Sequence, residues 1–199
     1  MKNSLLLIID MQNDFCADGT LAVQGGDDIV PLLNRLASEY AHVVMTQDWH
    51  PPDHSSFALQ HQGAAAFTQI EMPYGPQTLW PDHCIIGTKG AEFHRELEVI
   101  RAELIIRKGF RREVDSYSAF FENDHKTPTG LGGYLKERGF SYITCVGLAF
   151  DYCVRYSAED AKALGFEVEV IEAATRAIDL GGTVSATKQS FTERGIVLR

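Results

Sequence analysis

Short apolar runs rich in β-branched residues recur along the chain, at residues 5–9, 42–46, 104–107, 142–146, 167–171 and 196–198. Most are apolar throughout rather than alternating, which marks strands buried on both faces. Between them, apolar positions return every three or four residues over 29–38, 92–101, 131–138, 152–164 and 184–194, the periodicity of amphipathic helices. Gly139, Gly165 and Gly195 each close such a stretch just before a strand, where a helix end favours glycine. Strands alternating with helices predict an α/β fold, a mainly parallel sheet with helices on both faces.

One segment breaks the rhythm. Residues 50–90 are rich in Pro, Gly, His and Gln and show little periodicity. A segment that long without regular structure is usually functional or disordered, and its aromatic residues (Phe57, Phe67, Trp80, with Trp49 beside it) and clustered histidines argue for function. No repeat and no linker divides the chain, so residues 1–199 read as a single domain with an insertion at about 48–90.

With 199 residues, 45% hydrophobic and 23% charged, the chain suits one sizeable core. Its net charge of -9 repels phosphate backbones and anionic lipid, so neither nucleic acid nor membrane is an expected partner; a homo-oligomer is left open. The apolar run at 5–9 is too short for a signal peptide core and ends in an acid. Cys16, Cys84, Cys145 and Cys153 form no C-x-x-C pair, which favours free thiols and a cytoplasmic location.

In open parallel sheets the ligand crevice lies at the carboxyl ends of the strands. The first predicted strand ends in Asp10, the second in Gln47-Asp48-Trp49-His50, the third in Arg107-Lys108-Gly109, and the fourth leads to Cys153. Each has an ordinary explanation alone: a turn cap, a turn histidine, a solvated lysine, a small core cysteine. Their coincidence at four successive strand ends predicts a site. Cys153 falls in the first turn of the helix predicted over 152–164, where the macrodipole favours the thiolate. Asp10 in a partly apolar cleft would have its pKa raised and accept a proton. Asp48-x-His50, with His54 and His83 in the same insertion, offers carboxylate and imidazole ligands for one divalent transition metal, Zn, Fe or Mn. Phe15, Trp80 and Tyr117 neighbour these residues and suit the walls of a flat pocket.

Taken together, several segments resemble the nicotinamidases, also called pyrazinamidases, of the isochorismatase-like cysteine hydrolases. They are Ile8-Ile9-Asp10-Met11-Gln12-Asn13-Asp14-Phe15-Cys16, Thr46-Gln47-Asp48-Trp49-His50-Pro51-Pro52-Asp53-His54, Leu79-Trp80-Pro81-Asp82-His83-Cys84, Lys108-Gly109, Val114-Asp115-Ser116-Tyr117-Ser118-Ala119-Phe120 and Gly147-Leu148-Ala149-Phe150-Asp151-Tyr152-Cys153-Val154. The resemblance implies a Rossmann-like, three-layer α/β/α fold with a six-stranded mainly parallel sheet. It implies a catalytic triad of Asp10, Lys108 and Cys153, and a metal on Asp48, His50 and His83. His54 matches a histidine that is a ligand in some relatives and not in others. A cis Leu148–Ala149 peptide is also implied, aiming the Ala149 N–H with that of Cys153 at an oxyanion. Phe150 departs from the family, where a small polar residue is frequent. Tyr152, where some relatives have His, reads as a wall residue with Phe15, Trp80 and Tyr117.

The activity so implied is hydrolysis of nicotinamide to nicotinate and ammonia through a cysteine thioester, in NAD salvage, with deamidation of pyrazinamide. A hydrolase acting on isochorismate or a carbamoyl amide, an inactive binding module with a structural metal, and a thiol redox protein are the competing expectations.

Overall fold

The computed structural model describes residues 3–199. Six strands form one parallel sheet: β1 (Ser4–Ile9), β2 (Val43–Asp48), β5 (Leu104–Lys108), β6 (Tyr142–Leu148), β7 (Glu167–Arg176) and β8 (Val197–Leu198). Their order is β5-β2-β1-β6-β7-β8, so the chain leaves β1 towards one edge and returns to the other side of it at β6. Every pair is parallel. The point where the order reverses, beside the end of β1, is where such sheets open a crevice.

Successive side chains of β1 go to opposite faces and feed two cores. Leu6 and Ile8 join Val43, Met45 and the inner face of α1 (Val30–Glu39). Leu5, Leu7 and Ile9 join Val44, Ile143 and Cys145 with α2 (Leu131–Glu137), α3 (Arg155–Ala163) and α4 (Thr183–Arg194). The result is the three-layer α/β/α arrangement that the apolar runs and the resemblance imply. The central strands β1, β2 and β6 are buried almost throughout, whereas the edge strand β5 alternates between partly buried and exposed positions.

Two expectations change. Residues 92–101 are not an amphipathic helix; apart from a single 3-10 turn at Val99–Arg101, the segment is irregular. Its backbone groups are claimed by neighbours: Asn13 N–H donates to the Glu92 carbonyl, His94 N–H to the Met11 carbonyl, and Asn34 brackets the Glu96 carbonyl and the Glu98 N–H. The insertion, in turn, contains a small antiparallel hairpin, β3 (Gln69–Met72) and β4 (Gly75–Thr78). Among the described residues no helix is long and apolar enough to cross a membrane.

Candidate active site and metal centre

Sheet register assembles the site. Asp48 and Lys108 are direct partners across β2 and β5, and Ile9, just before Asp10, pairs with Gly147 of β6. Asp10, Asp48, Lys108 and Cys153 are therefore brought to one rim, and all four are buried. The Lys108 ammonium lies 2.9 Å from Asp10 Oδ2 and 2.6 Å from Asp48 Oδ1. It also donates to the Ser116 carbonyl at 2.7 Å and lies 3.5 Å from Cys153 Sγ. A carboxylate oxygen of Asp10, one of Asp48 and the Cys153 sulfur all lie within 4.8 Å of one another. Thr46 donates its hydroxyl to Asp10 Oδ1 at 2.6 Å, fixing that carboxylate.

The electrostatics follow from burial. Desolvation pushes the Asp10 carboxyl up, and the Lys108 ammonium holds back part of the rise. That is the shift expected of a proton acceptor. Burial would also raise Asp48, but Lys108, His50 and His83 together hold its carboxyl well below the usual range. Burial lowers Lys108, yet Asp10 and Asp48 outweigh it and keep the ammonium charged.

Cys153 requires a correction. It lies not in the first turn of a regular α-helix but in a π-helical turn, Phe150–Val154, ahead of α3. Burial pushes its thiol well up; Lys108 opposes this, and Asp10 and Asp48 add to it. Cys153 thus rests as a thiol and needs a base to become a nucleophile. The Leu148–Ala149 peptide is cis, as the resemblance implies. Tyr152 and Val154 both donate to the Ala149 carbonyl at 3.1 Å, and this tight loop brings Ala149 and Cys153 onto one cleft wall. Asp151 braces the loop from behind by accepting the N–H groups of Ile178 and Asp179 at 3.0 and 2.7 Å.

Asp48, His50 and His83 converge beside this cluster. His50 Nδ1 donates to the Gly109 carbonyl and His83 Nδ1 to the Pro81 carbonyl, each at 2.8 Å. In the neutral rings those bonds put the proton on Nδ1 and leave each Nε2 lone pair for a ligand, although for His50 burial, which lowers the pKa, is outweighed by Asp48, which raises it. His50 Nε2 is buried without a hydrogen-bond partner, a costly state unless a cation takes it up. Asp48 Oδ2 lies 3.5 Å from His50 Nε2 and 3.9 Å from His83 Nε2, while its other oxygen serves Lys108. His83 is pushed down to about 4 by burial and the adjacent His50, so it is neutral, as a ligand must be. The buried carboxyl groups of Asp10, Asp48 and Asp115 outnumber the one buried ammonium, and a divalent cation would offset the surplus. The residues thus fit a divalent transition metal. His54 falls in a second buried group, with His50 and Asp115, and here Ser56 N–H and its hydroxyl engage Nδ1 while Nε2 donates to the Val114 carbonyl at 3.3 Å.

Three residues without a role in the sequence reading hold these ligands. Gln12 donates to the carbonyls of Asp48 and Ala91 and accepts the Asp48 N–H at 2.7 Å, clamping the end of β2. Asp14 accepts the Cys84 N–H at 2.7 Å, beside His83, and packs so tightly that a Cβ on Gly90 would sit 2.0 Å from its carboxylate. At Gly109 the backbone has positive φ and a Cβ would meet the His50 ring at 2.4 Å. Gln12, Asp14 and Gly109 all lie in segments that carry the family resemblance, which was the available signal.

The cleft encloses about 330 Å³ of empty space, its mouth included. Phe15, Trp80, Tyr117 and Tyr152 line it, with Ala149, Cys153, Asp48 and His83. Trp80 and Tyr152 meet edge-on with ring centroids 4.9 Å apart. Leu21, Ile178 and Asp115 also line it; no local pattern marks Leu21 or Ile178. Among the described residues, no lysine or arginine faces the cleft.

A Rossmann-like sheet with a thiol, an acid and an ammonium gathered at its strand ends is the arrangement of a hydrolase family. The isochorismatase domain matches residues 4–198, and the chain belongs to that family, in its nicotinamidase and pyrazinamidase group. It is 48% identical to the nicotinamidase of Acinetobacter baylyi over 195 residues, 98% of this chain and 91% of that one. Among solved structures, the Acinetobacter baumanii nicotinamidase and pyrazinamidase superposes with a TM-score of 0.98 at 50% identity, covering 100% of this chain and 96% of the other. The pyrazinamidase of Pyrococcus horikoshii, solved in complex with zinc, superposes with a TM-score of 0.80 at 31% identity over 99% of this chain and 98% of that one.

Proposed function

We propose that the chain hydrolyses nicotinamide to nicotinate and ammonia, and deamidates pyrazinamide, as a single-domain enzyme of NAD salvage in the cytoplasm. The observation that carries this reading is the Lys108 ammonium, which ties Asp10, Asp48 and the Cys153 thiol into one buried cluster on an aromatic-walled cleft. The names of its relatives support the substrate. All four cysteines are free and buried, in keeping with a reducing compartment.

Asp10 accepts the Cys153 proton, and the sulfur attacks the amide carbon. Lys108 stabilises Asp10 as it takes up and returns that proton. The N–H groups of Ala149 and Cys153 receive the developing oxyanion; one such donor typically contributes ~2.7–4 kcal/mol to lowering the barrier. Asp10 passes its proton to the departing nitrogen as the C–N bond breaks, leaving a thioester. Asp10 then deprotonates water, which attacks the thioester and frees the thiol and the acid. Phe15, Trp80, Tyr117 and Tyr152 hold the ring so that its amide carbon faces the sulfur. Asp48, His50 and His83 would hold a divalent metal (zinc, iron or manganese), which would supply an anchor for the pyridine nitrogen.

The cleft also discriminates against the isochorismate reading. A doubly anionic substrate needs cationic side chains, yet the cleft lining carries Asp48 and Asp115 and no lysine or arginine, and Lys108 is already shared between two carboxylates, so a metal would be the one cation offered. A neutral amide suits it. Incubation with nicotinamide, reading ammonia before and after chelation and metal reconstitution, tests the proposal. Ammonia from a carbamoyl amide but none from nicotinamide would overturn it.

A further inference from the structure

Gln77 is fully buried on β4, in the hairpin of the insertion and outside the main sheet. Its carboxamide oxygen accepts from Asn123 Nδ2 at 3.0 Å and from the Tyr74 hydroxyl at 3.3 Å. Its Nε2 donates to the Tyr117 hydroxyl oxygen at 2.7 Å and to Asp115 Oδ2 at 3.0 Å, and lies 2.7 Å from the Thr78 carbonyl. The same Tyr117 oxygen accepts the Trp80 indole N–H at 3.0 Å. Asn123 completes the frame: its Oδ1 accepts the Tyr117 N–H at 3.0 Å. Tyr117 is thereby held at its backbone by Asn123 and at its hydroxyl by Gln77, and Asn123 and Gln77 hold each other.

This arrangement has a consequence for the cleft. Tyr117 and Trp80 both line it, and the Tyr117 oxygen is the joint between them. Held by two donors, Gln77 Nε2 and the Trp80 indole N–H, that oxygen fixes the two rings relative to one another. No hydrogen bond of Gln77 goes to Asp10, Asp48, His50, His83, Lys108 or Cys153 among the described residues. Gln77 therefore acts on the shape of the wall and not on the reacting atoms.

We propose that Gln77 is a positioning residue for substrate affinity, ordering the Tyr117 hydroxyl and through it the Trp80 ring against a bound aromatic amide. The proposal rests on the amidase reading above. Its test is the steady-state kinetics of Gln77→Met, Tyr117→Phe and the double variant on nicotinamide, with metal content and thermal unfolding measured alongside. Gln77→Met raises KM about tenfold, the scale of one buried hydrogen bond, with kcat within about threefold and metal content unchanged. The double variant is no worse than the poorer single one, since both act through one hydroxyl. A folded Gln77→Met with wild-type KM, a fall in kcat at constant KM, or additive losses in the double variant overturns the proposal. If Gln77→Met does not fold, Tyr117→Phe, which removes the shared hydroxyl and leaves Gln77 in place, is read by the same split. Wild-type protein that releases no ammonia from nicotinamide overturns the amidase reading and this inference together; an active wild type with an unmoved variant KM overturns this inference alone.

Discussion

Lys108→Met keeps most of the volume of the side chain and removes its charge. In the native site the ammonium is buried between Asp10 Oδ2 at 2.9 Å and Asp48 Oδ1 at 2.6 Å. Removing one partner of a buried pair costs about 3–5 kcal/mol, because the remaining charge is left in a poor solvent. If that cost falls wholly on the transition state, kcat/KM drops by about two to four orders of magnitude. The pH profile identifies the cause. Burial already raises Asp10, and Lys108 is what restrains it, so the variant's Asp10 pKa rises further. A smaller fraction of the base is then ionised at any given pH, and the acid limb of the activity profile moves to higher pH. Ammonia release measured across pH, with urea unfolding to read stability separately, gives both numbers. A Lys108→Met enzyme within tenfold of wild type, with its acid limb unmoved, would refute the electrostatic reasoning.

Other consequences are as direct. Cys153→Ala abolishes ammonia release while metal analysis finds full occupancy, because the sulfur is not among Asp48, His50 and His83. His54→Ala retains the metal, since both of its nitrogens are already engaged, whereas His50→Ala loses it; equal loss in the two would place His54 among the ligands. Gln12→Glu cannot donate to the Asp48 and Ala91 carbonyls and weakens metal binding by about 10–100-fold, read by titration against a competing chelator.

The sequence by itself determined the strands of the main sheet, because strands buried on both faces carry continuous apolar runs, as residues 5–9 of β1 and 43–45 of β2 do. It also placed Asp10, Lys108 and Cys153 on one rim, because chemistry-bearing residues at the ends of parallel strands have nowhere else to go. Periodicity failed at 92–101, where Phe93, Leu97 and Ile100 keep a helical spacing but Ile100 ends up 95% exposed. There the outcome lay with distant partners, Met11, Asn13 and Asn34, that claimed the backbone first. The protonation state of Cys153 was likewise beyond local reading: a helix start favours the thiolate, but the burial and the two carboxylates that reverse this come from other strands. Gln77 and Ile178 carry no chemical signature in the chain; folding alone delivers Ile178 to the cleft and Gln77 to the Tyr117 hydroxyl behind its wall. Covalent sequence fixes which groups exist and on which face of an element they stand. Desolvation, charge neighbours and free lone pairs depend on what packs against them, and that was decided only when the sheet closed.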